Sequence, residues 1–242
     1  MPAIIVPPFT KSPFTHSPLI HGGGIKAAAA LSAFSFSVTD TTVDASGGTI
    51  NTFADQLFGD APTGNDTRYI AVAVGAFQSA SRTILEVTIG GVTATEIVST
   101  ANNAAPCGVY VAEVPTGTTG SVVVTLDASV IGISIVVCRI LNPSSPTGFD
   151  TASGVHSSGT VDLSLDIPNG GDAVAIVQSI NAGSTIWTGL TELIDTDVDT
   201  ADFFTAASGG GSPGTPHTVT AVCSDSTPVR YQGHAVSWGP MA

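Results

Sequence analysis

Short segments of alternating apolar and polar residues, with a turn signal about every ten residues, constrain the fold of this chain more than any other feature. FSFSVT (34–39) places Phe34, Phe36 and Val38 on one face of a strand. RYIAVAVGAF (68–77) and VDLSLDI (161–167) alternate in the same way. Because no segment shows the 3.6-residue period of an amphipathic helix, the chain is predicted to be all-β.

Glycine pairs and apolar runs predict how some of these strands connect. Gly90 and Gly91 join two alternating runs (83–98), and a two-residue glycine link favours a hairpin because primed turns need positive φ. VYVAEV (109–114) and SVVVTLD (121–127) predict a second hairpin across PTGTTG. SVIGISIVVCRIL (129–141) is almost continuously apolar, which predicts a central strand buried on both faces.

The strand count and the spacing of the turns indicate a fold class. Roughly a dozen strands with regular turns predict an antiparallel jelly-roll-type β-sandwich that forms one domain over residues 34–242. An extended, proline-rich N-terminal arm (1–33) precedes it. The stretches EVPTG (113–117) and DIPNG (166–170) suggest two comparable hairpins, but they fall short of a sequence repeat.

The arm has its own composition. Pro2, Pro7, Pro8, Pro13 and Pro18 are followed by three glycines at 22–24, so we expect polyproline II conformation with a joint at the glycines. Ordering such a segment costs backbone entropy that its own contacts do not offset, so its apolar side chains are expected to bind a partner. The predicted partner-docking residues are Ile4, Ile5, Val6, Pro7, Pro8, Phe9, Phe14, Leu19 and Ile20.

Charge argues against two classes of partner. The formal net charge is −13, and the six cations, Lys11, Lys26, Arg68, Arg82, Arg139 and Arg230, are scattered along the chain. Nucleic acids and anionic membranes both require clustered cations, so neither is an expected partner. Charged residues make up only 10% of the chain, a composition that suits extracellular scaffolds and virion parts.

Residues that carry chemistry are few, and they do not form a recognised motif. The sequence has no G-x-S-x-G nucleophile elbow and its histidines are isolated, which predicts a non-enzyme with no cofactor. Cys107, Cys138 and Cys223 are predicted to be mainly buried free thiols, although one disulfide remains an open alternative. Asp195, Asp197 and Asp199 alternate as a weak calcium candidate, but the spacing fails the EF-hand pattern and a solvated face is favoured.

The order and spacing of several motifs resemble a known group of proteins. VTIGGVTAT (87–95), YVAEVPTGTT (110–119), IWTGLTELIDTDV (186–198) and HAVSW (234–238) resemble fibre, spike or minor virion proteins of tailed bacteriophages and phage-like gene transfer agents. The resemblance covers about residues 65–238 and does not include the arm. It implies a non-enzymatic virion component made in the bacterial cytoplasm, which binds other virion proteins and copies of itself.

A second class of function remains open. A carbohydrate-binding adhesin or receptor-binding module would recognise a host cell-surface glycan through exposed aromatic rings. Trp187 and Tyr231 are the candidate glycan contacts. Aromatic residues on strands more often belong to the core, so the virion structural role is favoured over the adhesin.

Overall fold

A computed structural model describes residues 31–101, 103–156, 159–180, 184–199, 202–210, 217–223 and 231–241. All nine arm residues named above lie outside the described residues.

None of the described residues is helical, and together they form seventeen strands. The first nine are β1 (Ser35–Asp44), β2 (Ile50–Leu57), β3 (Arg68–Phe77), β4 (Ile84–Ile89), β5 (Val92–Thr93), β6 (Thr95–Ser99), β7 (Cys107–Glu113), β8 (Thr119–Leu126) and β9 (Gly132–Leu141). The others are β10 (Asp150–His156), β11 (Thr160–Leu165), β12 (Asp172–Ile180), β13 (Thr185–Thr188), β14 (Thr191–Asp199), β15 (Asp202–Gly210), β16 (His217–Cys223) and β17 (Tyr231–Trp238).

The strands form four antiparallel sheets, which confirms the all-β antiparallel prediction. The first nine strands supply a five-stranded sheet, β1-β9-β3-β7-β6, and a four-stranded sheet, β2-β8-β4-β5. The other eight supply a five-stranded sheet, β10-β17-β12-β15-β14, and a three-stranded sheet, β11-β16-β13. The strands therefore make two sandwiches, not the single one that the periodicity suggested.

Each sandwich has an apolar core between its two sheets. Alternate residues of β3 and β8, including Ile70, Val72, Val122 and Val124, meet in the first core. Leu163, Val177 and Val219 are among the residues that fill the second. The alternation read from the sequence is therefore the inward-facing half of each strand.

A third apolar cluster lies between the two five-stranded sheets. Ala71, Ala73 and Cys138 of the first sandwich pack against Ile176 and Trp238 of the second. Strand β9 is buried on both faces because it contributes to the first core and to this cluster, which confirms the prediction for residues 129–141. The protein is thus a four-layer stack whose two central layers are the five-stranded sheets.

The two sandwiches repeat one strand order. If the short strand β5 is set aside, the strands of each half can be numbered one to eight along the chain. Both halves then read 1-8-3-6-5 in the larger sheet and 2-7-4 in the smaller sheet. Some contacts between the halves are reciprocal: β6 lies on β17 and β10, and β14 lies on β9 and β1. The halves therefore share one strand order and meet through their larger sheets.

Several predicted hairpins are wrong in their connections. Ile89 pairs with Val92 across Gly90 and Gly91, whose φ values are +60° and +81°, so that tight turn is confirmed. The chain then crosses to the other sheet, where β6 pairs with β7. EVPTG connects β7 to β8 and DIPNG connects β11 to β12, and each link joins opposite sheets. In the repeated strand order, EVPTG joins the sixth strand to the seventh in the first half, whereas DIPNG joins the second strand to the third in the second half, so the two links are not equivalent.

Candidate functional site

The arm leaves the described structure at a corner fixed by hydrogen bonds. The Ser32 N–H donates to Asp66 Oδ1 over 2.7 Å, and Asn142 Nδ2 donates to Ser32 O over 2.8 Å. Asn142 Oδ1 in turn accepts the Thr67 N–H at 2.8 Å. The hydrogen bond from the Ser32 backbone is the main cause that lowers the pKa of Asp66. The end of the arm at Ser32 is therefore held against the residues just before β3 and just after β9.

Arg68 opens β3 and is fully buried, and its hydrogen bonds to described residues all go to backbone carbonyl oxygens. Its guanidinium donates to the carbonyl oxygens of Val114 and Gly59 at 2.8 and 2.9 Å. It also donates to Thr116 O and Gly117 O, both at 2.8 Å. Burial, and then the charge of Arg139, lower the pKa of Arg68. One side chain therefore sets the shape of the loop between β7 and β8.

That loop forms one wall of a surface groove of about 480 Å³. The turn at Gly90 and Gly91 forms another wall, and Phe58 lies at the base. Phe58 is 1% exposed, whereas Val92 at the rim is 42% exposed. Glycine, threonine and serine line most of the remainder, and none of the described residues that line the groove is charged. We call this the β4–β8 groove; its exposed apolar surface comes mainly from Val92 and Pro115, since Phe58 and Val114 are buried.

His234 joins the two sandwiches through hydrogen bonds. Its Nε2 lies 2.6 Å from Thr100 Oγ1 of the first half, and its Nδ1 lies 3.0 Å from Ser153 Oγ on β10. Burial lowers the pKa of His234 to about 4, so the ring is neutral at pH 7. A serine–histidine pair needs a third group that stabilises the imidazolium, and a threonine hydroxyl does not supply that charge. The arrangement is a neutral link between the sandwiches.

The predicted glycan-contact residues lie in the second sandwich core. Trp187 is 9% exposed and Tyr231 is 1% exposed. The Trp187 indole N–H donates to Thr205 Oγ1 over 2.7 Å. In these positions neither ring offers a free face on which a sugar can stack.

The acidic candidates lie on the edge strand β14. Asp195 is partly buried and accepts the Thr185 N–H at 3.0 Å, whereas Asp197 is exposed. Burial is the main cause that raises the pKa of Asp195. Asp199 ends the strand after an irregularity in register that separates it from Asp197. Within the part of the chain that the structure describes, no three histidine, cysteine, aspartate or glutamate side chains converge as a metal site would require.

The three cysteines are free and buried, as the sequence predicts, which answers the question of a disulfide. Cys107 and Cys138 lie in the cluster between the sandwiches and Cys223 lies in the second core. Burial raises the pKa of all three thiols, so the nucleophilic thiolate is disfavoured.

Sequence reasoning missed Arg68, His234 and the β4–β8 groove. His234 is one of the histidines that the sequence presents as isolated, yet in the fold it contacts Thr100 and Ser153. Arg68 carries one signal, because a single cation opens an otherwise apolar strand. No sequence signal marks the groove, since its walls come from the β2–β3, β4–β5 and β7–β8 connections, which are distant in sequence.

Comparison with protein-family models, with curated proteins and with solved structures finds no match to this chain. In the described residues there is no helix with the length and apolarity needed to cross a membrane.

Proposed function

We propose that this protein is a non-enzymatic structural component of the virion of a tailed phage or a phage-like particle, as a spike, fibre base or decoration. The proposal includes a jelly-roll fold for each sandwich. The observation that carries it is the repeated strand order, 1-8-3-6 facing 2-7-4, because a jelly roll of eight strands places its first strand beside its last in this way. Fold alone does not assign a function, so the motif resemblance gives the virion context.

The chemistry of the described residues is consistent with a passive building block. The free thiols are buried, His234 is neutral and the candidate aromatic rings lie in a core. The extensive apolar contact between the sandwiches makes one rigid body from two units. Such a body is suited to bearing load within an assembly and to spacing other parts.

In this proposal the arm anchors the body to capsid, neck or tail proteins. The arm carries its apolar residues between prolines, and Ser32 fixes its point of departure from the body. The partners are therefore other virion proteins and further copies of this chain. The buried positions of Trp187 and Tyr231 leave the adhesin alternative without its candidate contacts, so it is not developed as a second proposal.

The direct test is particle membership. Particles released by the bacterium that carries the gene are purified through a density gradient, and this protein is quantified by mass spectrometry. The proposal expects a fixed copy number per particle that survives a high-salt wash. If the protein is present in the cell lysate but absent from the particle fractions, the proposal is overturned.

A further inference from the structure

We propose that the boundary between the two sandwiches contains a buried hydration site, in which ordered water molecules bridge the side chains of Gln178, Gln232 and Ser134. The ligand is water and the site belongs to the folded protein itself, so the inference is independent of which particle the protein joins. Three observations support it: the unpaired polar atoms, their alignment at the boundary, and the neutral character of the described residues around them.

Three fully buried polar side chains at the boundary have atoms without a hydrogen-bond partner among the described residues. These atoms are Oε1 and Nε2 of Gln178, Oε1 and Nε2 of Gln232, and Oγ of Ser134. Buried polar groups in folded proteins are nearly always hydrogen-bonded, either to protein or to ordered water, because an unpaired group loses its hydration without compensation. The five atoms therefore require a ligand that can both donate and accept.

The three side chains lie together on the faces that meet at the boundary. Alternate residues of β9, β12 and β17 form the cluster between the halves, and Ser134, Gln178 and Gln232 continue that alternation. Gln178 pairs in register with Gln232, so their side chains are neighbours on one sheet. A Cβ built on Gly75 would lie 2.5 Å from Gln178 Oε1, and Gly75 pairs in register with Ser134. Because paired strands are about 4.8 Å apart, Ser134 lies close to the Gln178 amide across the boundary.

The first sandwich presents small side chains where the two glutamines face it. The row across β9, β3 and β7 at this level consists of Ser134, Gly75 and Cys107. The next row along the same strands consists of valine, alanine and valine. Cys107 Sγ lies 3.8 Å from Gln232 O, which places the small row against the glutamines. A row of valines would fill the space that amide groups and water need.

The described residues around the site favour water over an ion. The two facing rows consist of serine, glycine and cysteine on one sheet and of two glutamines and Phe204 on the other, and none of these carries a charge at pH 7. A buried ion requires a charged partner, whereas water is neutral and both donates and accepts. A buried water makes about three hydrogen bonds, so five unpaired atoms correspond to about two molecules.

The hydration site joins the two halves. Ser134 belongs to the first sandwich, while Gln178 and Gln232 belong to the second. A water that bonds to both sides therefore adds a polar link at the level of Gly75, within a boundary that is otherwise mainly apolar.

A crystal structure of the full-length protein, at a resolution that shows ordered water, tests the site directly. We expect water within about 3.2 Å of the amide groups of Gln178 and Gln232 and of Ser134 Oγ. A direct hydrogen bond between the two glutamine amides, with no ordered water beside them, would overturn the proposal.

Oxygen-17 relaxation dispersion tests the site in solution, because it measures the number of water molecules with long residence times in the protein. We expect the double variant Gln178→Met with Gln232→Met to hold at least one such water fewer than the unaltered protein. If the double variant fails to fold, Ser134→Ala takes its place with the same expectation.

Gln56→Met is the matched control. Gln56 is also buried, but its Oε1 accepts from Thr42 Oγ1 at 3.0 Å and its Nε2 donates to Ala54 O at 3.2 Å. Its replacement is therefore expected to leave the number of long-residence waters unchanged. An unchanged number in the boundary variant, or an equal loss in the boundary variant and the control, would contradict a hydration site between the sandwiches.

Discussion

The ring of Phe36 stacks on the indole of Trp238 across the boundary between the two sandwiches, with ring centroids 5.9 Å apart and an interplanar angle of 27°. Phe36 belongs to β1 of the first half and Trp238 ends β17 of the second. The Trp238 indole N–H also donates to Pro146 O at 3.2 Å, in the connection between the halves. This contact ties the two halves to their linker.

Trp238→Ala is expected to lower the free energy of unfolding by about 3–5 kcal/mol, because a fully buried ring leaves a cavity between the sandwiches. Urea unfolding followed by far-UV circular dichroism measures the change. Phe149→Ala is the control, since Phe149 is 52% exposed and its loss is expected to cost less than about 0.5 kcal/mol. Equal losses in the two variants would show that the stacked pair does not join the halves.

Arg68→Lys is expected to lower the free energy of unfolding by about 2–4 kcal/mol, because a single ammonium cannot reach four carbonyl oxygens in a forked geometry. Amide hydrogen exchange is expected to show faster exchange at residues 114–121. Arg82→Lys is the control, since the hydrogen bonds of Arg82 to Ser129 O and Ser81 O lie at the exposed surface. Unchanged exchange at the loop in Arg68→Lys would contradict the anchoring role.

Because His234 is buried as a neutral ring, we expect the free energy of unfolding to fall in acid. Its pKa is about 4 in the folded protein and about 6.5 when unfolded, so protons bind preferentially to the unfolded chain between those pH values. This contribution therefore favours the folded state above pH 6.5 and falls as the pH drops, by about 3 kcal/mol in total by pH 4. His234→Gln keeps a polar side chain but cannot titrate, so the difference between the two unfolding curves from pH 7 to 4 isolates the effect. Parallel curves would refute a buried neutral histidine.

Gly75 lies where the two five-stranded sheets pack together, so a side chain added at this position tests how closely they pack. A Cβ at this position would lie 2.5 Å from Gln178 Oε1 and 2.6 Å from a Phe204 ring carbon. Gly75→Ala is expected to lower the free energy of unfolding by about 1–3 kcal/mol through overpacking. Gly48→Ala is the matched control, because its Cβ would meet nothing closer than 3.6 Å. A neutral Gly75→Ala would mean that the two sheets are less closely packed than described.

Local periodicity was enough to predict the class of the fold. Alternation identified β3 and β11, and the unbroken apolar run of residues 129–141 identified β9 as doubly buried. These features follow from which face of a strand is covered, and that information resides in neighbouring residues.

Which distant strands pair in each sheet could not be predicted from the sequence. A link such as EVPTG has the same turn chemistry whether it closes a hairpin or crosses between sheets, because the choice depends on which distant strand completes each sheet. The duplication was missed for the same reason, since it lies in the order in which the strands pair and not in repeated residues. The β4–β8 groove exists only once those pairings are made.

Particle incorporation of an arm-deleted protein tests the central claim most directly. The protein lacking residues 2–24 and the full-length protein are expressed together from the same host with distinguishable tags, and their ratio in purified particles is compared with their ratio in the lysate. The account predicts that the truncated protein keeps its β-sheet circular dichroism spectrum but falls at least tenfold in particles. Equal ratios in particles and lysate would contradict the claim that the arm is the anchor.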